Sequence, residues 1–310
     1  MNEFELIAKL IRSLPTNDSV VVGAGDDCAV LECGDPQRQL LFKTDAVVEG
    51  IHFTNETPPE KIGRKALARC LSDIAAMAGT PSAALVTIAL PKKFSPEFVE
   101  TIYEGMNTLA AQHGVAMVGG ETTTNPERVL ISISLTGFVP RGKAVLRSGA
   151  KVGDAIFVTG ELGGSLAGKH LDFEPRLKEA RWLAENFPIH SLMDVSDGLA
   201  GDLPHILRAS GVGAELLKSA VPISRTAKEN SKRGDAAKPA FVAALTDGED
   251  FELLFTVASK KAVPVLDAWK KKFPDVKLSC IGRIITGEGI RLRDKTGIRP
   301  FTAHGYVHFS

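Results

Sequence analysis

Two long helical stretches, residues 60–78 and 96–113, stand between short β-rich runs, and this alternation constrains the fold more than any other feature. Gly79 and Pro81 end the first stretch and Gly114 closes the second, all three being ordinary helix stop signals. Strands are predicted at 20–22, 29–31, 40–43, 85–90, 115–118 and 129–139, with an amphipathic helix over 3–13. Helices and strands in this order bury one another in layers, so the first 140 residues read as an α/β or α+β domain. The polar, basic stretch PRGKAVLRSGAKVG (140–153) reads as a crossover between domains. Beyond it, strands are predicted at 155–159, 213–217, 252–257 and 278–285, and helices near 164–170, 175–186, 198–209 and 262–272. The predicted class is α/β (α+β) in two domains, 1–140 and 141–310, which suits a length of 310 residues.

Charge excludes some partners. Lys plus Arg and Asp plus Glu each number 37, so the basic excess of a general nucleic-acid binder is missing. Cys28, Cys33, Cys70 and Cys280 form no C-x-x-C pair and read as reduced thiols of a cytoplasmic protein rather than a zinc site. The opening MNEFELIAKLIRSL carries Glu3 and Glu5 and does not read as a secretory signal, and the apolar run 83–90 is too short to span a bilayer. Familiar catalytic motifs are missing as well. Gly142-Lys143 is followed by Ala144 and Gly168-Lys169 by His170, so neither is a P-loop. Gly23-Ala24-Gly25 lacks the third glycine of a dinucleotide loop, and Ser196 is not in a G-x-S-x-G elbow. His304 and His308 read as a surface pair.

What remains is a set of acids beside glycines. Asp26-Asp27 follow Gly23-Ala24-Gly25, Asp45 is expected just after strand 40–43 with Glu49 beyond it, and Asp73 lies in the first long helix. Glu121 follows Gly119-Gly120, Asp194 and Asp197 flank Ser196, and Glu249-Asp250 follow Asp247-Gly248. Each has an ordinary reading: a turn, an i,i+4 pair of Asp73 with Arg69, an N-cap at Asp197. Together they have a common one. Carboxylates gathered in a cleft raise one another's pKa unless a cation neutralises them, and hard oxygens select Mg²⁺. Adjacent glycines let backbone N–H groups approach phosphates. The set therefore describes a Mg-nucleotide site built without a P-loop.

The strings GAGDDCAV (23–30), TDAVVEGIHF (44–53), ALARCLSDIAAMAG (66–79), VGGETT (118–123), LRSGAKVGD (146–154), MDVSDGLAGDLPHI (193–206) and DGEDFELLF (247–255) follow one another in order and are spread from residue 23 to residue 255. In these the chain resembles the thiamine-monophosphate kinase family, within the aminoimidazole ribonucleotide synthase superfamily. The resemblance implies an N-terminal mixed sheet with helices that pairs across a homodimer, a C-terminal α/β domain, and an ATP and metal site in the cleft between them. It implies that ATP phosphorylates thiamine monophosphate to thiamine diphosphate with several Mg²⁺ ions and no general base. Asp27, Thr44, Asp45, Asp73, Glu121, Asp194 and Asp197 match metal positions. Lys43, Tyr103, Gly119, Gly120, Arg147 and Ser196 match ATP contacts, and His52, Glu249 and Ala303 match substrate contacts.

Three positions depart from the family pattern, which typically has a small residue at Lys43 and Asp at Glu121. The extra CH₂ of Glu121 moves its carboxylate by roughly 1.5 Å. The family has an aromatic substrate contact before Gly-Tyr; here Thr302-Ala303-His304 precedes Gly305-Tyr306, leaving Phe301 or His304 to compensate. Two rival readings stay open: another ATP-dependent member of the superfamily with a different substrate, and a non-catalytic nucleotide-binding protein.

Overall fold

The computed structural model describes residues 3–234, 237–301 and 305–306. The chain divides into two compact units, one of residues 18–144 with 171–177, the other of residues 1–17, 145–170 and 178–310. The opening helix α1 (Glu3–Ile11) belongs to the second of these.

The first unit contains β1 (Val20–Val22), β2 (Ala29–Glu32), β3 (Arg38–Val48), α2 (Pro59–Ala76), β4 (Thr80–Leu90), α3 (Pro96–His113), β5 (Ala116–Thr124) and β6 (Leu130–Pro140). Its sheet runs β1-β2-β3-β6-β4-β5, antiparallel except for β4 and β5, whose parallel pairing is made by the α3 crossover. Ser95 caps α3 by accepting from the Phe98 N–H, Pro96 starts it, and Gly114 ends it at φ +67°. Strands β3 and β6 pair over their full lengths, Arg38 opposite Pro140 through to Val48 opposite Leu130. Side-chain alternation then puts Leu41, Lys43, Asp45 and Val47 on one face and Phe42, Thr44 and Ala46 on the other. Leu41 and Val47 are buried on the face against which α2 packs. Helices α2 and α3 meet closely: a Cβ on Gly63 would lie 1.8 Å from the Ile102 carbonyl oxygen, and one on Gly105 equally near that of Glu60.

This pairing corrects two expectations. Asp45 lies inside a strand, because β6 offers partners well beyond residue 43. Gly119, Gly120 and Glu121 also lie inside a strand, β5, because β4 pairs with Gly120 and Glu121 past an irregularity between Ala84 and Val86 that takes in Gly119.

The second unit continues with β7 (Asp154–Thr159), the short α4 (Lys169–Asp172) at its boundary, α5 (Leu177–Asn186), β8 (Ile189–Asp194), α6 (Leu199–Ser210), β9 (Gly213–Leu217) and α7 (Arg225–Asn230). Then come α8 (Ala240–Thr246), β10 (Leu253–Ala258), α9 (Ala262–Lys272), β11 (Leu278–Ile285), β12 (Ile290–Asp294) and β13 (Gly297–Phe301). The sheet order is β13-β12-β9-β11-β7-β10-β8. Its core joins Ile156, Val158, Leu254 and Ile284 of the strands to Leu203 and Ile206 of α6, all buried. Sequence pattern locates α9 and β11 but not β8, whose residues IHSLMD show neither alternation nor a β-branched run. Among the described residues no helix is long and apolar enough to cross a membrane.

Candidate active site

In the first unit, Gly25 at φ +129° lets the chain turn into Asp27, whose N–H donates to Asp26 Oδ1 at 3.0 Å. Asp73 projects from α2, and carboxylate oxygens of Asp27 and Asp73 lie within 4.8 Å of each other. Both residues are buried. Lys43 Nζ reaches to 3.2 Å from Asp73 Oδ1. One turn before Asp73, Arg69 forks onto Asp45, with Nε 2.9 Å from Oδ2 and Nη2 3.3 Å from Oδ1. Burial works against charge on Asp45, but Arg69 and Lys43 outweigh it and hold the carboxyl below its ordinary range. Burial alone would lower Lys43; the Asp73 and Asp45 carboxylates reverse that and hold the ammonium above the usual lysine value. Burial, reinforced by the neighbouring carboxylates, pushes the Cys28 and Cys70 thiols well up. The oxygens of Asp27 and Asp73 are hard donors, which fit Mg²⁺ rather than a soft ion.

The remaining first-unit positions spread over several elements. Thr44 alternates to the opposite face from Asp45, its Oγ1 3.4 Å from both Ser132 Oγ and Ser134 Oγ. Gly119 and Gly120 have φ of +137° and +156°, and a Cβ at Gly120 would meet the Val86 carbonyl oxygen at 1.7 Å. Next to them on β5, Glu121 is exposed opposite Thr87. Tyr103 is half-buried on α3, and burial pushes its phenol up. In the turn after β3, His52 Nδ1 accepts from the Val48 N–H at 3.1 Å, and its carbonyl accepts from Lys65 Nζ at 2.6 Å. Lys65 is a fully buried cation on α2 that the sequence reading missed. A lysine surrounded by helical apolar residues gives no sign of which distant carbonyl it serves.

In the second unit, Asp194 ends β8 and Val195–Gly198 turn into α6. Gly198 at φ +88° is the N-cap, so Asp197 does not cap the helix. The Asp197 N–H instead donates to Asp202 Oδ2 at 3.0 Å, and its carbonyl accepts from the Tyr306 N–H at 3.0 Å. Burial, then Asp197 and Asp194, push the Asp202 carboxyl well up. Asp202 also went unnoticed in the sequence. Arg147 is half-buried within the electrostatic reach of Asp202 and His205. Burial, with Arg147 and Arg208, drives His205 down to about 3, leaving a neutral imidazole. The 247–252 turn grips the Ser196 turn: Val195 N–H donates to Glu252 O, Glu249 N–H to Ser196 O and Phe251 N–H to Val195 O at 2.8, 2.5 and 2.8 Å. Glu249 and Phe251 hold left-handed φ values of +54° and +49° there, a strain typical of functional turns. The Glu249 carboxylate pairs with His170 Nδ1 at 3.0 Å, and its carbonyl accepts from Ser165 Oγ at 2.5 Å. Ala303, with Thr302, His304 and His308, lies outside the described residues.

Each unit thus gathers its own group, Asp27, Lys43, Asp45 and Asp73 in one, Arg147, Asp194, Ser196, Asp197 and Glu249 in the other. Residues 25–139 match the N-terminal domain, and residues 151–295 the C-terminal domain, of AIR synthase related proteins. The thiamine-monophosphate kinase of Rhodopirellula baltica is 39% identical over 96% of this chain and 93% of its own. That of Bacillus subtilis is 36% identical over the whole of both. The chain belongs to the thiamine-monophosphate kinase family. Among solved structures, AaThiL complexed with AMPPCP and TMP shares 31% identity at a TM-score of 0.84, covering 99% of this chain and 97% of its own.

One acid within the 247–252 turn, Asp250, affects stability. Asp250 is buried and both its oxygens accept from the Gly163 N–H, at 3.0 and 2.9 Å. Burial pushes its pKa up to about 7, against the pull of Lys169. A folded-state pKa raised above the unfolded value favours folding at low pH, and that contribution is lost as pH rises towards 7. Between pH 5 and 7 the wild type should lose about 2 kcal/mol that Asp250→Asn does not lose. Urea unfolding of both proteins at the two pH values checks this.

Proposed function

We propose that the protein transfers the γ-phosphoryl group of ATP directly to the phosphate of thiamine monophosphate, giving ADP and thiamine diphosphate. The observation that carries the reading is full-length similarity to thiamine-monophosphate kinases, joined to an oxygen-donor group of the kind Mg²⁺ takes. AaThiL, a relative of the same fold, was solved with an ATP analogue and TMP. The chemistry suits the residues. A phosphate monoester has a second pKa near 6, so the acceptor is already an anion at neutral pH and needs no general base. The obstacle is repulsion between two anions, about 1 kcal/mol per charge pair at 4 Å in water and several times more in a drier site. Bound Mg²⁺ supplies the positive charge that offsets it and stabilises the transferring group.

Asp27, Asp45, Asp73, Glu121, Asp194 and Asp197, with Thr44, are assigned to the ions. Tyr103, Arg147, Ser196 and the Gly119-Gly120 backbone are assigned to ATP, and His52, Glu249 and Ala303 to thiamine monophosphate; Lys43, expected at ATP from the resemblance, is directed instead at Asp73, 3.2 Å from its Oδ1. The burial of Asp27, Asp73 and Asp194 supports the first set, since a buried carboxylate needs a counter-charge. The exposed Gly119-Gly120 backbone of β5, free of side chains beside its N–H groups, supports the second. The pinned Glu249 and His52 support the third, since a ligand-binding side chain gains from being fixed beforehand. Four free cysteines suit the reducing cytoplasm.

A homodimer is proposed through the outer face of the first unit's sheet, where Thr44, Ser134 and Leu85 stand in one row and Phe42 and Leu85 are 45% and 48% exposed. Leu85→Glu should convert the dimer to monomers in sedimentation velocity; a monomeric wild type, or a variant that stays dimeric, contradicts the interface. The function itself is tested by incubating purified protein with ATP, Mg²⁺ and thiamine monophosphate and separating the products. Thiamine diphosphate and ADP in equal amounts are expected. ATP turnover without thiamine diphosphate would favour another superfamily substrate, and ATP binding with no turnover a non-catalytic role.

A further inference from the structure

We infer that Lys43 is a tethered counter-cation of the first unit's carboxylate group, taking the place of one divalent ion at Asp73. The inference rests on the metal reading of Asp27 and Asp73 given above. Lys43 and Asp45 share one face of β3, two residues apart, and α2 brings Arg69 and Asp73 to the same region. Lys43 Nζ stands 3.2 Å from Asp73 Oδ1, and its side chain is only 24% exposed. Arg69 fills both oxygens of Asp45.

Three carboxylates, Asp27, Asp45 and Asp73, therefore face two fixed cations, Lys43 and Arg69, and the group's formal charge is minus one rather than minus three. A divalent ion draws its affinity from the number of carboxylate charges around it. Removing Lys43 restores a full charge to Asp73, next to Asp27, and so creates room and charge for a further ion. With Lys43 in place, that neutralisation is covalently attached. It needs no ion from solution and does not vary with Mg²⁺ concentration. Lysine at this position thus sets how many ions the site takes, and Asp73 stays screened before any nucleotide arrives.

The test counts ions rather than turnover. Mn²⁺ is titrated into purified wild type, Lys43→Met and Lys43→Arg, with and without AMPPCP and with no thiamine phosphate, and free Mn²⁺ is read by electron paramagnetic resonance. Lys43→Met should take up one more Mn²⁺ per chain than wild type, or bind it at least about tenfold more tightly, a change of about 1.4 kcal/mol. Lys43→Arg, which keeps the charge, should match wild type. Equal number and affinity in wild type and Lys43→Met overturns the inference. So does a Lys43→Met protein that loses AMPPCP affinity with its Mn²⁺ binding unchanged, since Lys43 would then be a phosphate ligand. Should circular dichroism show Lys43→Met unfolded, Lys43→Gln carries the same comparison. Mn²⁺ uptake by neither protein overturns the metal reading as well, whereas failure to form thiamine diphosphate refutes the kinase reading and leaves the ion count standing.

Discussion

Carboxylates crowded together inside a protein repel one another, and a fold that brings them together must supply counter-charge. In the first unit that role falls to two ion pairs between β3 and α2, Lys43 with Asp73 and Arg69 with Asp45. Breaking a buried pair by removing one partner costs about 3–5 kcal/mol, because the other charge is left stranded. The same pairs therefore hold the helix to the sheet, and Arg69 with Lys43 keeps Asp45 towards its ionised form. Packing and chemistry depend on one arrangement here. It in turn depends on the strict alternation of β3, since a register slip of one residue would turn Lys43 and Asp45 to the other face.

The second unit solves a related problem differently. Its acids lie at the end of β8 and in the turn that follows, and a second turn clamps them through three backbone hydrogen bonds. The strain of two left-handed residues, Glu249 and Phe251, is held in place by that clamp and by the grip of Ser165 and His170 on Glu249. Asp202, kept towards its protonated form by burial, fixes the Asp197 backbone from below the turn. These contacts fix the position of each polar group before substrate binds, so little ordering is left for the bound state.

What the sequence shows and what it hides follows from the range of the interactions. Helix α9 and strand β11 occupy the predicted residues because local periodicity and stop signals determine them. Asp45 and Glu121 were expected in turns because the glycines and acids near them favour turns locally. Pairing with β6 and β4, set by residues far along the chain, overrides that preference. The acids themselves were visible as motif residues. Long-range pairings were not, since Arg69 reaches Asp45 across 24 positions and Lys65 reaches the His52 carbonyl across 13, separations with no periodic signature. Thr44 next to Asp45 in sequence is the reverse case: adjacent in the strand, it faces away.

The claim on which the account rests is that these aspartates hold divalent cations against the phosphates of ATP. The most direct measurement is a crystal of the protein grown with Mn²⁺ and AMPPCP, with data collected for the anomalous signal of manganese. The account predicts anomalous peaks bonded to carboxylate oxygens of Asp27 and Asp73 and to phosphate oxygens of the nucleotide. A nucleotide bound with no manganese at either aspartate would contradict it.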